Sequence, residues 1–187
     1  MNKTNHSNIL IVGGGCAGIS VATRLHNLKS DLSISIIEPS DQSLYQAAWT
    51  LVGAGAYDKD KTIKPMTEVM PSYVNWIKDH AESFAPESNS VKTSNGEYSY
   101  DYLVVCPGLK INYAGIPGLQ ESIGKNNVCT NYSADMAVYT WECLKNLKGG
   151  TLLFTEPPMP IKCAGAPQKI AYLAADHLKP VSYTHLR

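Results

Sequence analysis

The chain has 187 residues, of which 44% are hydrophobic, and its 16 basic residues balance its 16 acidic residues. This length can bury a sizeable core and corresponds to one domain or slightly more. A nucleic-acid-binding surface needs a basic face, which a neutral chain without like-charge blocks does not supply. The apolar runs are too short for a transmembrane helix. The first eight residues contain neither an apolar signal core nor an Arg-rich presequence, which argues against secretion and organelle import.

The first predicted elements form a β-α-β unit of ordinary size. Residues 9–12 are a continuous apolar run of the kind that a buried parallel strand needs. A glycine-rich turn follows, and then a helical pattern whose apolar face carries Ile19, Ala22, Leu25 and Leu28. Residues 34–38 are predicted to form the second parallel strand.

The middle of the chain is predicted to contain short strands. Residues 44–73 show no clear pattern, because Gly53, Gly55 and Pro65 interrupt them. Short antiparallel strands are expected at residues 74–84, 90–93 and 97–100, and Asn95-Gly96 is a hairpin-turn signal between the last two. Residues 102–106 are predicted as a further buried strand that ends at Pro107-Gly108.

The last third is predicted to contain two helices and one strand. The first helix is capped by Ser133 and ended by Gly149-Gly150. Its apolar stripe consists of Met136, Thr140, Cys143, Leu144 and Leu147. Residues 151–155 are predicted as a strand that opens a second α/β unit. The second helix begins with Pro167 in its first turn and buries Ile170, Leu173, Ala174 and Leu178.

These elements predict an α/β protein with two units. Residues 1–115 form a Rossmann-like dinucleotide-binding domain with a small antiparallel meander, and residues 116–179 begin a second α/β unit. Residues 180–187 have no periodic pattern and resemble translated adapter sequence. We therefore expect the native chain to continue and this tail to be foreign.

A glycine fingerprint lies between the first strand and the first helix. Its spacing is Gly13-x-Gly15-x-x-Gly18, and Glu38 ends the next strand. Gly13 permits the tight turn, Gly15 lets the backbone approach a pyrophosphate, and Gly18 lets helix and strand pack closely. The helix N-terminus attracts the phosphates, whereas Glu38 can bind a ribose diol and disfavours the 2'-phosphate of NADP. The alternative interpretation is a tight strand–helix turn that binds no ligand.

The five cysteines are Cys16, Cys106, Cys129, Cys143 and Cys163. Their odd number and the lack of C-x-x-C spacing speak against a disulfide scaffold and a metal site, so no metal is predicted. Either one thiol is redox-active or several are inert and buried, as expected in a reducing cytoplasm.

Cys163 is the strongest candidate for a reactive thiol. No second glycine fingerprint follows residues 151–155, and the prolines there lack N–H groups to bind a phosphate. Cys163 instead precedes a helix N-terminus and follows Lys162, and both features stabilise a thiolate. A nucleophilic or redox cysteine is one interpretation. The other is a buried cysteine that packs as a small hydrophobe, and position alone does not decide between them.

Several segments resemble sulfide:quinone oxidoreductases, a family of FAD-dependent pyridine nucleotide-disulfide reductases. The most specific is Pro160-Ile161-Lys162-Cys163-Ala164-Gly165-Ala166-Pro167-Gln168-Lys169-Ile170. Residues 45–55 resemble a second family segment, although Ala47 replaces its usual proline. Residues 75–78, 131–133 and 140–142 are similar too. Val105-Cys106-Pro107-Gly108 stands where the superfamily has an Ala-Thr-Gly turn and keeps its glycine. The resemblance covers residues 8 to about 179.

The resemblance implies a fold, a cofactor and a reaction. The fold is that of flavoproteins with two dinucleotide-binding domains, and the cofactor is FAD. Hydrosulfide would attack a disulfide between the catalytic Cys163 and a distal cysteine, leaving a persulfide, and two electrons would pass through FAD to a quinone. FAD-contacting positions would be Cys16, Ala17, Glu38, Gln46 and Ala81, beside the motif glycines Gly13, Gly15, Gly18 and Gly108.

The resemblance also implies a place in the cell and leaves alternatives open. C-terminal helices absent from this sequence would bind the protein peripherally to a bacterial cytoplasmic membrane, and without the distal cysteine this fragment should be inactive. The alternatives are a type II NADH:quinone dehydrogenase and a non-catalytic flavin- or persulfide-binding protein. Among the weaker candidates, Cys129 is interpreted as a bystander in a loop and Cys143 as a core residue.

Overall fold

The computed structural model describes residues 5–179, and the predicted α/β class is confirmed. The chain divides into two compact units. The first contains residues 1–44 and 64–108, and the second contains residues 45–63 and 109–187, each as far as it is described. The proposed foreign tail at 180–187 lies outside the described residues.

Within residues 5–179, eight strands make up two sheets. They are β1 (His6–Val12), β2 (Ile34–Ile37), β3 (Gln42–Leu44), β4 (Ile63–Pro65), β5 (Val74–Ile77), β6 (Ala81–Ala85), β7 (Ser90–Thr93) and β8 (Gly96–Val105). Strands β3 and β4 pair separately, and the other six form one sheet in the order β5-β2-β1-β8-β7-β6. In that sheet β5, β2, β1 and β8 are parallel, whereas β6, β7 and β8 form the predicted antiparallel meander.

The first strands of the large sheet are buried on both faces. On one face Ile9, Ile11 and Ile34 pack against helix α1 (Cys16–Leu28), which contributes Ala22. On the other face, one cluster contains Leu10, Val12, Ile37, Ile77, Val91 and Tyr100. This two-sided burial is the physical reason that residues 9–12 of β1 are continuously apolar and that β2 is apolar except at Ser35.

Three strand predictions are corrected. Residues 74–84 form two strands, and β5 pairs parallel with β2 as the outer strand of the large sheet. Residues 97–100 and 102–105 belong to one strand, β8, which ends before Cys106, and Tyr102 is 70% and Val105 is 53% exposed. Strand β7 pairs with residues 96–99 of β8, whereas β1 pairs with β8 up to Val105. The hairpin is confirmed, although Gly96 pairs with Thr93 and the turn consists of Ser94 and Asn95.

Helices dominate the described part of the second unit. They are α2 (Trp49–Gly53), α4 (Leu119–Ser122), α5 (Ala134–Lys145) and α6 (Gly165–Leu178), whereas α3 (Met66–Val69) belongs to the first unit. Both long helices were predicted, but α5 ends at Lys145, before the two glycines. Their buried contacts form two clusters, one with Ala54, Leu144, Ile170 and Ala174 and one with Trp49, Val52 and Ala137.

The strand predicted at residues 151–155 is wrong. This segment has no regular secondary structure, and Leu153 is 85% exposed. An isolated strand leaves its backbone N–H and C=O groups without partners. No strand among residues 109–179 is available to pair with it. The apolar run therefore stays an exposed loop between α5 and α6.

Candidate functional site

The turn between β1 and α1 requires glycine at two positions. Gly13 has φ +104°, and a Cβ there would lie 2.0 Å from the carbonyl oxygen of Cys106. A Cβ at Gly18 would lie 1.9 Å from the carbonyl oxygen of Gly13. Both contacts are with backbone atoms, which cannot move away as a flexible side chain could. These two glycines therefore allow the tight turn and the close approach of helix to strand.

Gly15 differs from these two because it faces open space. It is exposed, and a Cβ there would meet no atom within 4 Å. The first bond along α1 runs from the N–H of Ile19 to the carbonyl of Gly15 at 3.1 Å. The N–H groups of Cys16, Ala17 and Gly18 consequently lack intrahelical acceptors. This site fits a phosphate group, because it offers free N–H donors and the positive end of the helix dipole, and because no protein atom blocks the space beside Gly15.

Glu38 braces the glycine-rich turn from the end of β2. Its Oε2 accepts the N–H of Gly14 at 2.7 Å, and its Oε1 accepts the N–H of Ser40 at 2.8 Å. Its backbone carbonyl accepts the indole N–H of Trp76 at 2.7 Å. Each carboxylate oxygen has a second lone pair, so Glu38 can still accept a ribose hydroxyl. The sequence motif predicted the ribose contact but not this brace.

The first unit also contains the remaining predicted cofactor residues except Gln46. Cys16 and Ala17 are the exposed first residues of α1. Gly108 is exposed with φ +76° in the loop after β8. Ala81 begins β6 and packs against the cluster that contains Val12. Gln46 lies in the second unit, where it is exposed in a short 3-10 turn.

Cys163 is exposed in the second unit, so the interpretation as a buried core cysteine is wrong. It ends the loop before α6, where Ala164 is the N-cap residue. Its carbonyl oxygen accepts the N–H of Ala166 at 3.1 Å and the Tyr132 hydroxyl at 3.1 Å. The ammonium of Lys162 lies 5.8 Å from the centre of the Tyr132 ring. The Cys163 side chain is therefore accessible to solutes, while hydrogen bonds to its carbonyl hold the backbone in place.

Tyr132 is the contact of Cys163 that sequence reasoning missed. Its own N–H donates to Thr130 Oγ1 at 3.2 Å, which fixes the segment before α5. Burial raises the pKa of the Tyr132 hydroxyl, and the neighbouring Cys163 raises it further. The hydroxyl therefore remains a protonated donor to the Cys163 carbonyl at neutral pH. The one signal for Tyr132 in the sequence is the family resemblance at residues 131–133.

Cys129 is half-buried, and burial together with the neighbouring Cys143 raises the pKa of its thiol, while its interpretation as a bystander stays a prediction. Cys143 is half-buried rather than fully buried. Within residues 5–179, no group of three or more His, Cys, Asp or Glu side chains could hold a metal ion. No helix in that range has the length and apolar character needed to cross a membrane.

Comparison with models of protein families shows which family this chain belongs to. The family model described as "Pyridine nucleotide-disulphide oxidoreductase" matches residues 7–137, which is more than half of the chain. The chain belongs to this family. Its members are FAD-dependent oxidoreductases, and the fingerprint turn with Gly15, the helix N-terminus and Glu38 fits the pyrophosphate and ribose of such a dinucleotide.

Relatives within the family confirm the resemblance to sulfide:quinone oxidoreductases. The mitochondrial sulfide:quinone oxidoreductases of Mus musculus and Dictyostelium discoideum are 40% and 44% identical to the chain over 176 and 178 residues. Each alignment covers 94% of this chain and 39% of the relative. The structure of the sulfide:quinone oxidoreductase from Aquifex aeolicus matches with a TM-score of 0.71 and 25% identity, covering 95% of this chain and 40% of that one. The chain thus spans about two fifths of the length of these relatives.

Proposed function

We propose that this protein oxidises sulfide to sulfane sulfur with FAD and passes the electrons to a membrane quinone. The observation that carries the proposal is the exposed Cys163, held before α6 in a chain of this oxidoreductase family. The relatives named sulfide:quinone oxidoreductases support the choice of substrate and acceptor.

The first unit would bind the FAD. The exposed N–H groups at the start of α1 would take the pyrophosphate beside Gly15, and Glu38 would accept hydrogen bonds from the ribose. Ala81 and Gly108 are further candidate contacts in this unit, and Gln46 is a candidate in the second. FAD, when bound, supplies two-electron redox chemistry.

Cys163 would supply the sulfur chemistry. Hydrosulfide attacks a disulfide between Cys163 and a second cysteine, so that one S–S bond breaks and another forms. One cysteine becomes a persulfide and the other leaves as a thiolate. A nucleophilic acceptor would then take the outer sulfur of the persulfide, and the two cysteine sulfurs would re-form their disulfide. The two electrons released would pass to the flavin and on to the quinone, which would take up two protons to become a quinol.

Two parts of this proposal rest on the greater length of the relatives, of which the alignments with this chain cover 39%. We propose that a second cysteine and helices that bind the membrane surface belong to the part of the protein that corresponds to the remaining length, and that the 187-residue chain alone does not turn over. A peripheral position at a bacterial cytoplasmic membrane would bring the flavin to the quinone without a spanning helix.

The test measures flavin absorbance in the full-length protein under anaerobic conditions. Sulfide should bleach the oxidised flavin, and Cys163→Ser should abolish this bleaching while dithionite still reduces the bound flavin. Bleaching of the Cys163→Ser variant at the wild-type rate would overturn the role of Cys163. If sulfide leaves the wild-type flavin oxidised while NADH bleaches it, the protein is an NADH dehydrogenase of the same family.

A further inference from the structure

Cys129 and Cys143 are brought together by hydrogen bonds on both sides of Cys129. Before it, the N–H of Asn127 donates to the Tyr139 hydroxyl at 3.1 Å. After it, the Thr140 hydroxyl donates to the carbonyl of Thr130 at 3.4 Å. Residues 127–130 therefore run along the face of α5 that carries residues 139 and 140. Cys143 continues this face because it lies three and four residues further along the helix.

The two thiols are close enough for Cys143 to raise the pKa of the Cys129 thiol, whereas the Thr140 hydroxyl lowers it. The Sγ of Cys129 also donates to the carbonyl of Asn127 at 3.5 Å. Both cysteines are free and half-buried, so a small solute can reach them while the surrounding contacts keep them paired. Their positions are fixed by α5 and by the segment before it.

The environment of Cys129 affects its reactivity. Burial raises the pKa of its thiol from 9.0 to about 11, and the hydrogen bond with Cys143 contributes in the same direction. Cys129 is consequently a protonated, slow nucleophile at neutral pH when it acts alone. Once it is part of a disulfide, a thiol with a raised pKa is a poor leaving group, so the disulfide resists reduction.

We propose that Cys129 and Cys143 form a dithiol site that reacts with sulfane sulfur and closes to a disulfide. One thiol attacks hydrodisulfide, HSS⁻, and becomes a persulfide as hydrosulfide leaves. The second thiol attacks the inner sulfur of that persulfide, and the outer sulfur leaves as hydrogen sulfide. Two thiols and HSS⁻ thus give one disulfide, HS⁻ and H₂S, and the two electrons lost by the thiols reduce the S–S bond of HSS⁻. The reaction requires neither FAD nor Cys163.

The positions of lysine in the sequence allow a direct test. Trypsin cuts after Lys125 and Lys145 and leaves Cys129 and Cys143 together in the peptide of residues 126–145. Cys106 lies in the peptide of residues 93–110 and Cys163 in that of residues 163–169. The full-length protein with Cys163→Ser is treated with sodium disulfide, and its remaining thiols are labelled with iodoacetamide under denaturing conditions. The protein is then digested with trypsin, and the peptide masses are measured by mass spectrometry. Because the Cys163→Ser protein lacks the thiol that the proposed sulfide oxidation needs, this result does not depend on whether that proposed function is correct.

The expected product is peptide 126–145 lighter by two hydrogen atoms and carrying no label, while Cys106 still takes one label. Cys129→Ser and Cys143→Ser should each prevent this product and leave a persulfide on the remaining cysteine. The proposal would be overturned if peptide 126–145, with both of its cysteines present, still takes up two labels at a sodium disulfide concentration that already modifies Cys106. Separate persulfides on both cysteines of the wild-type peptide would overturn it as well.

Discussion

The carboxylate of Glu38 accepts the backbone N–H of Gly14 at 2.7 Å, which ties the end of β2 to the turn between β1 and α1. The second carboxylate oxygen is occupied by the N–H of Ser40 at 2.8 Å. The residue that the motif assigns to the ribose therefore also sets the shape of the loop that would hold the pyrophosphate. Ligand affinity and local stability should consequently change together when this carboxylate is altered.

Glu38→Gln should weaken both properties. A glutamine amide has one oxygen for the two N–H donors, and its NH₂ group would face the other donor. We expect a loss of about 1–3 kcal/mol in the free energy of unfolding and a fall in FAD affinity of at least roughly tenfold. Urea unfolding and flavin titration measure the two effects. Glu82→Gln, at an exposed position on β6, is the matched control and should change neither.

Glycines in the same turn should separate folding from binding. Gly18→Ala places a Cβ 1.9 Å from the carbonyl oxygen of Gly13, so it should destabilise the first unit by about 1–3 kcal/mol or more. Gly15→Ala meets no protein atom within 4 Å, and the φ of Gly15 is an ordinary −75°. Its methyl group should leave the unfolding midpoint unchanged but intrude on a bound pyrophosphate, which should lower FAD affinity at least roughly tenfold.

Thermal unfolding and flavin titration of the two variants give the comparison. A Gly15→Ala protein that binds FAD as tightly as the wild type would show that the pyrophosphate does not lie beside Gly15. A Gly18→Ala protein with the wild-type unfolding midpoint would contradict the backbone contact seen at that position.

Asp79 anchors the turn between β7 and β8. It is only 6% exposed, and its carboxylate accepts hydrogen bonds from the Ser94 hydroxyl and from the N–H and side-chain amide of Asn95, the last two at 2.9 and 3.0 Å. Asp79→Asn replaces one acceptor oxygen by a donor that faces these donors. We expect the unfolding midpoint to fall by several degrees. Asp31→Asn, at an exposed position between α1 and β2, serves as the comparison.

The stability that Asp79 provides should depend on pH. The Ser94 hydrogen bond, followed by those from Thr93 and the backbone, holds the pKa of Asp79 far below its ordinary value of 3.8. A lowered folded-state pKa gives stability that is complete above the ordinary value and lost as the pH falls towards the folded value. The difference in unfolding midpoint between wild type and Asp79→Asn should therefore be constant near neutral pH and shrink below 3.8. A difference that does not change under acid conditions would contradict this account.

Local patterns in the sequence were enough for the elements that depend on neighbouring residues. The apolar run of β1, the glycine spacing and the periodic face of α6 each report an environment that repeats within a few residues. Pairings between distant residues leave no such trace. Three such relationships are the parallel pairing of β5 with β2, the proximity of Cys129 to Cys143 and the hydrogen bond from Tyr132 to Cys163. Each depends on where the connecting loops bring distant segments together. Residues 151–155 show the converse, since an apolar run becomes a strand only beside another strand.

The bond from Tyr132 to the Cys163 carbonyl leads to a prediction about the reactive loop. Tyr132→Phe removes the hydroxyl but keeps the ring beneath the Lys162 ammonium. The partly exposed bond should be worth about 0.5–1.5 kcal/mol, so the fold should survive its loss. A less firmly held loop should let iodoacetamide reach Cys163 several-fold faster. Sulfide-dependent flavin reduction in the full-length protein should slow several-fold, because the thiol is less often in its reacting position.

The opposite directions of these two effects distinguish positioning from damage to the fold. Partial unfolding would expose every cysteine, whereas the predicted acceleration should be confined to peptide 163–169 and spare peptide 93–110. Tyr172→Phe is the matched control, because Tyr172 lies on α6 with 73% of its surface exposed, and it should leave both rates unchanged. Equal alkylation rates for Cys163 in wild type and Tyr132→Phe would show that the hydroxyl does not hold this loop.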